Sequence, residues 1–76
     1  MNAQKLKAIS KEQSGLTLKT VEEKLTAGFS AHAEKMLLES LATFKHAPDD
    51  VANLKRLLSY TFETLGRYQE ALDVVR

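Results

Sequence analysis

The sequence predicts an all-α protein of four to five short antiparallel helices joined by tight turns. Three observations lead there. Gly15, Gly28, Pro48 and Gly66 divide the chain into five segments. Within those segments apolar residues recur at three- and four-residue spacing and never in sustained alternation, so no strand is expected. The connections are short, and short connections favour antiparallel neighbours.

The first segment, Ala3 to Gln13, offers only Leu6 and Ile9 as apolar contacts, and Ser14-Gly15 is expected to end it. The second places Leu18, Val21 and Leu25 at i, i+3, i+7. Thr20 with Glu23 fits a capping box, in which hydroxyl and carboxylate each accept from a free backbone N–H; Thr17 is an equal candidate for the start. Gly28 stands where a left-handed residue closes a helix. In the third segment Ser30 is a good N-cap, and Ala33, Leu37, Leu41 and Phe44 form one stripe that Met36 and Leu38 widen. Lys45 and His46 suit the negative end of that helix.

Pro48 excludes Ala47 from helical backbone, and Asp49 or Asp50 is expected to cap the next helix. The fourth segment sets Val51, Leu54, Leu58, Phe62 and Leu65 along one face, with Leu57 and Thr61 beside them, and Gly66 closes it. The fifth puts Tyr68, Ala71, Leu72 and Val75 at i, i+3, i+4, i+7.

Seventy-six residues make one small domain of modest stability. With no cysteine, a disulfide framework and a thiolate zinc site are excluded. His32 and His46 fall near opposite ends of one predicted helix, so no shared metal site is expected, and no cofactor is expected either. His32 reads as an exposed first-turn residue. His46 lies near Asp49 and Asp50, although a helix-dipole role is the simpler expectation. The net charge is +1, too mild to argue for nucleic acid. Residues 1–19 nevertheless carry Lys5, Lys7, Lys11 and Lys19 against Glu12 alone, which reads as a solvated basic face. There is no membrane-length apolar run and no secretory signal, so a cytoplasmic protein is expected.

The run "LLSYTFETLGRYQEALDVV", with "HAPDDVANL" upstream, resembles a tetratricopeptide (TPR) repeat, in which two helices pair through a Leu-Gly-Arg-Tyr type turn. Leu58 falls on the family's apolar position, Ser59 on its small one and Phe62 on its aromatic one. Gly66, Tyr68 and Ala71 match the turn and second helix, and Val75 a later apolar position. Lys55 stands where the family's first helix has a tryptophan. The resemblance covers about residues 49–76, and the segment from Ala33 to Pro48 has spacing suited to the second helix of a preceding repeat. Residues 1–29, which match nothing in the family's pattern, read as a basic, partly flexible N-terminal helical segment, and the resemblance implies TPR-like hairpins over residues 30–76, as a fragment or minimal array. In such a hairpin small residues at Ser59 and Ala71 let the helices approach, and Tyr68 covers the turn.

The resemblance also implies a mode of action. One helical face of a TPR-like hairpin is left open for protein partners. Asn53, Arg56, Tyr60 and Glu63 repeat at i, i+3, i+7, i+10 and are the candidate partner-binding surface for another protein or peptide. Leu72, Val74 and Val75 lie at the end of the last helix and are candidates for homo-oligomeric self-association. No nucleophile motif or Gly-rich phosphate loop is present, and Glu22-Glu23 and Asp49-Asp50 sit where helix starts favour negative charge, so no enzyme is expected. A non-catalytic interaction module acting as adaptor, chaperone or assembly subunit is the expected function. The alternative is a small helix-turn-helix nucleic-acid binder built on residues 15–41. Its reading helix would carry "SAHAEKMLLE", with one Lys against two Glu, a poor set for phosphates.

Overall fold

A computed structural model describes residues 6–76. In chain order the elements are β1 (Lys7–Ala8), α1 (Lys11–Thr26), α2 (Ser30–Thr43), β2 (Phe44–Lys45), α3 (Pro48–Thr64) and α4 (Tyr68–Val75). The all-α class holds, with one addition: β1 and β2 pair in parallel, Lys7 opposite Phe44 and Ala8 opposite Lys45. Two residues are too few to show alternation, so periodicity had no signal to give.

The start of the chain departs from expectation. The Ala3–Lys5 part of the first predicted helix lies outside the described residues. From Leu6 to Ser10 there is no helix, and one 16-residue helix then runs straight through Ser14-Gly15. Ser10 starts it, its hydroxyl accepting from the Gln13 N–H at 3.1 Å. An internal glycine costs about 1 kcal/mol against alanine, too little to end a helix so capped. Thr17 and Thr20 are therefore interior. Their hydroxyls donate to the Gln13 and Leu16 carbonyls instead of capping.

Both hairpin turns close by one mechanism. After α1, the Gly28 N–H donates to the Leu25 carbonyl and the Phe29 N–H to the Lys24 carbonyl. After α3, the Gly66 N–H donates to the Glu63 carbonyl and the Arg67 N–H to the Phe62 carbonyl. These are Schellman closures, and they need the left-handed backbone that Gly28 (φ 88°) and Gly66 (φ 77°) supply. Each is sealed by a cation over a ring. Lys24 Nζ lies 5.7 Å from the Phe29 ring centre, and the Arg67 guanidinium lies 4.6 Å from that of Phe62. Tyr68, expected to cover the second turn, is instead 66% exposed, and the contact found at that turn is the Arg67–Phe62 pair.

The two turns set a register of 38 residues between the hairpins. Within it Ala33 corresponds to Ala71, and both are buried in the core.

At the other helix starts, backbone geometry takes the place of the expected side-chain caps. Phe29, not Ser30, precedes α2, and the Ser30 hydroxyl accepts from Thr64 Oγ1 at 3.0 Å. Ala47 precedes α3, with Pro48 in its first turn, where a missing N–H costs nothing. Asp49 and Asp50 lie in that first turn, where negative charge is favoured, but neither is the cap residue.

The core is Val21 from α1, Ala33 and Leu37 from α2, Leu54, Leu58 and Phe62 from α3, and Ala71 from α4. Leu18, Leu25, Met36, Leu41, Leu57 and Val74 pack around it. Burying a side chain such as Leu37 completely contributes roughly 1.5–3 kcal/mol. Thr61 is also fully buried, its hydroxyl consumed by the Leu57 carbonyl. In α4 the expected stripe is corrected. Leu72 and Val75 are 53% and 58% exposed, and Val74 takes the core contact instead. Ser59 and Ala71 meet as expected of small residues, with Ser59 Oγ donating to the Ala71 carbonyl at 2.9 Å.

Candidate functional site

Three of the four candidate partner-binding residues line a groove between α1 and α3. One hollow of about 340 Å³ is bounded by Leu18, Glu22, Asn53, Arg56 and Leu57. A second, of about 250 Å³, is bounded by Glu22, Leu25, Thr26, Leu57 and Tyr60. They share Glu22 and Leu57 and so lie side by side along the channel between the two helices. Helical spacing explains the composition: residues 18, 22, 25 and 26 share a face of α1, and residues 53, 56, 57 and 60 share a face of α3. Glu63 is exposed beyond the Tyr60 end and borders neither hollow.

The channel has an aliphatic floor in Leu18, Leu25 and Leu57, all partly buried against the core. Above it stand an amide (Asn53), a guanidinium (Arg56), a carboxylate (Glu22) and a 53% exposed aromatic (Tyr60). Arg56 forms no ion pair among the described residues. From residue 18 to residue 26 the α1 wall runs about 12 Å at 1.5 Å per residue. That length accommodates about three or four residues of extended peptide. Such a surface can accept backbone hydrogen bonds and apolar side chains.

The second polar cluster has no counterpart among the sequence expectations, which put His46 at a helix end or beside Asp49 and Asp50. Instead β2 carries the chain out of α2 at Thr43, and His46 is 7% exposed between two helices. Its Nδ1 lies 2.7 Å from Ser14 Oγ on α1, and its Nε2 lies 2.9 Å from Ser40 Oγ and 3.3 Å from the Ser40 carbonyl on α2. With the proton on Nε2, that nitrogen donates to Ser40 and Nδ1 accepts from the Ser14 hydroxyl; the other tautomer reverses the roles of the two hydroxyls. Lys45, likewise expected at the α2 terminus, pairs with Ala8 in the sheet. A Ser–His pair invites comparison with a nucleophile and its base. Both serines, however, are buried within helices, and the Ser14 N–H is itself committed to the Ser10 carbonyl. The cluster clamps α1, α2 and the segment before α3 together. Nothing in the sequence marked this cluster, since Ser14-Gly15 reads there as the end of a segment.

Two ion-pair knots complete the frame. Lys11 Nζ lies 2.6 Å from Asp49 Oδ2 and 3.0 Å from Asp50 Oδ1. These hydrogen bonds hold the Lys11 ammonium pKa above its ordinary value and the Asp49 carboxyl below its own. The Asp50 side chain is only 6% exposed, and its Oδ2 has no partner among the described residues. Arg67 forks onto both Glu70 oxygens at 2.7 Å and reaches Glu34 Oε1 of α2 at 2.7 Å. The fork lowers the Glu70 pKa, and together the two carboxylates raise that of Arg67.

Among the described residues no cluster of three or more His, Asp or Glu side chains could hold a metal ion. No helix among them is long and apolar enough to cross a membrane. No protein-family model matches the chain, and no curated protein and no solved structure matches it.

Proposed function

We propose that the chain is a non-catalytic protein–protein interaction module, an adaptor, chaperone or assembly subunit, which holds a peptide segment of its partner in the α1/α3 groove. The observation that carries this reading is the channel itself. An aliphatic floor lies beneath Asn53, Arg56 and Tyr60, a composition suited to a peptide backbone and its side chains. The TPR-like, antiparallel arrangement from which the groove reading started belongs to the same proposal, and the two Schellman-closed turns are the feature of the fold it builds on. The expected cytoplasmic setting is part of the same proposal.

The test is selection of peptides from a random display library, followed by backbone amide NMR titration. Selected peptides should shift the resonances of Glu22, Asn53, Arg56, Leu57 and Tyr60. Tyr60→Ala should weaken them about tenfold, or about 1.4 kcal/mol. Tyr60 is half exposed, so its removal should leave stability within about 0.5 kcal/mol. Peptides that bind without shifting these residues, or a failure to select any, would overturn the assignment.

A further inference from the structure

Of the residues bounding the α1/α3 groove, only Glu22 on α1 and Arg56 on α3 are charged. They stand on opposite walls of the same hollow. Among the described residues neither forms an ion pair, with the other or with any third group. Both side chains are exposed.

The two charges are also displaced along the groove. Leu18 faces Asn53 at one end and Leu25 faces Tyr60 at the other, so the two walls run in the same direction. Glu22 borders both hollows, whereas Arg56 borders only the one at the Leu18 end. Glu63, about two turns beyond Arg56 on the same helix, extends the anionic end past Tyr60. The groove is therefore bipolar, cationic beside Asn53 and anionic towards Tyr60, with Leu57 between.

A bipolar groove selects by charge in both directions. A uniformly acidic segment meets Arg56 well and Glu22 badly, and a uniformly basic one does the reverse. A segment with one acid and one base, separated by one apolar residue, satisfies both walls. In an extended chain the two flanking side chains share a face and lie roughly 7 Å apart, while the one between them points the other way. That span fits within the groove, and the central side chain falls on the aliphatic floor.

Taking the groove as a peptide site, as proposed above, we infer that its occupant is a segment of the form acid–apolar–base. Its carboxylate meets Arg56, its cation meets Glu22, and its apolar side chain rests on Leu18 and Leu57. Each polar contact is a charge-assisted hydrogen bond. The direction of the partner's backbone sets whether acid or base comes first.

The probes are capped pentapeptides. Two are mixed, Ala-Glu-Leu-Lys-Ala and Ala-Lys-Leu-Glu-Ala. Three are controls with Glu-Leu-Glu, Lys-Leu-Lys or Gln-Leu-Gln at the centre. Backbone amide NMR titration measures affinity and place together. The tighter mixed peptide should bind about fivefold better than the uncharged one and about tenfold better than either like-charged one, and salt should shrink both margins. The shifts should fall on Glu22, Asn53, Leu57 and Tyr60. Arg56→Glu makes both walls anionic and should turn the preference to Lys-Leu-Lys. Glu22→Lys makes both cationic and should turn it to Glu-Leu-Glu. Circular dichroism should not change, because both side chains are exposed. Lys35→Glu, on an exposed position of α2 outside the groove, matches the charge change of Arg56→Glu and should leave the mixed peptide preferred.

Equal affinities for all the peptides, with shifts in the groove, overturn the inference and leave the proposed function standing. A preference that Lys35→Glu moves as far as Arg56→Glu also overturns it, because net charge then suffices. No groove shift with any peptide overturns the inference together with the reading it rests on. A dimer by light scattering that Arg56→Glu dissociates, with no preference among the peptides, assigns the groove to a second copy and overturns it as well.

Discussion

Replacing His46 with alanine removes the one side chain that touches both Ser14 and Ser40. Each buried hydroxyl left without a partner costs about 1–3 kcal/mol. Ser40 sits inside α2 and can recover part of this by turning to the carbonyl one turn back. Loss of the ring adds a small void and removes an edge contact with Phe44, whose ring centre lies 6.2 Å away. The sum should be about 2–4 kcal/mol. A chain of 76 residues has roughly 4–11 kcal/mol to lose, at 0.05–0.15 kcal/mol per residue. The melting temperature should therefore fall by roughly 8–32 °C, at 4–8 °C per kcal/mol. Urea and thermal unfolding followed by far-ultraviolet circular dichroism give the number. The sharper assay is a cycle with Ser14→Ala. Once the imidazole is gone, Ser14 has already lost its partner, so the second substitution should cost about 1 kcal/mol less than it does alone. A His46→Ala loss under about 1 kcal/mol, or strict additivity with Ser14→Ala, would refute the clamp.

The two turn glycines should behave alike. A Cβ at Gly28 or Gly66 meets no neighbouring atom within 4 Å, so alanine there costs only its left-handed backbone, about 1–2 kcal/mol at each site by chemical denaturation. Lys11→Ala should destabilise more than loss of an exposed pair, because it leaves the buried Asp50 carboxylate without its cation; adding Asp50→Asn should restore part of the loss in the same melts. Acid should weaken the fold. Asp49 and Glu70 have pKa values below their ordinary 3.8 and 4.5, so their contribution is complete above those values and disappears as pH falls through the lowered ones. Lys11, raised above 10.5, contributes fully below that value and stops contributing as pH rises past the raised one. Melting temperature against pH should then be flat from about pH 5 to about pH 10 as far as these pairs are concerned, and salt should shrink the acid step.

The parts of the fold that depend on local rules were legible in the sequence. Gly28 and Gly66 announced left-handed closures because no other residue type takes that backbone cheaply. The stripe Leu54, Leu58, Phe62 gave the buried face of α3 because helical periodicity alone decides it. What could not be read depended on pairing across the chain. Ser14-Gly15 looks like a turn until His46 is brought against Ser14. Phe44 continues the α2 stripe until Lys7 and Ala8 draw it into a strand. Val75 and Val74 compete for the core at adjacent positions, and the crossing of α4 over α3 decides between them. For the candidate groove, periodicity located the α3 wall at Asn53, Arg56 and Tyr60. The opposing wall of Leu18, Glu22 and Leu25 required knowing that α1 lies beside α3.

The ties between the start of α1 and the segment ahead of α3 also bear on the order in which the molecule assembles. Ser14 to His46 spans 32 positions and Lys11 to Asp50 spans 39, whereas each glycine hairpin closes within a few residues. Closing a longer loop carries a larger entropic penalty, and local contacts form first. The hairpins are thus the early units and the His46 seam is the late one. By the same reasoning the seam is where the native chain first opens, releasing the amino-terminal turns of α1 while both Schellman hairpins stay closed.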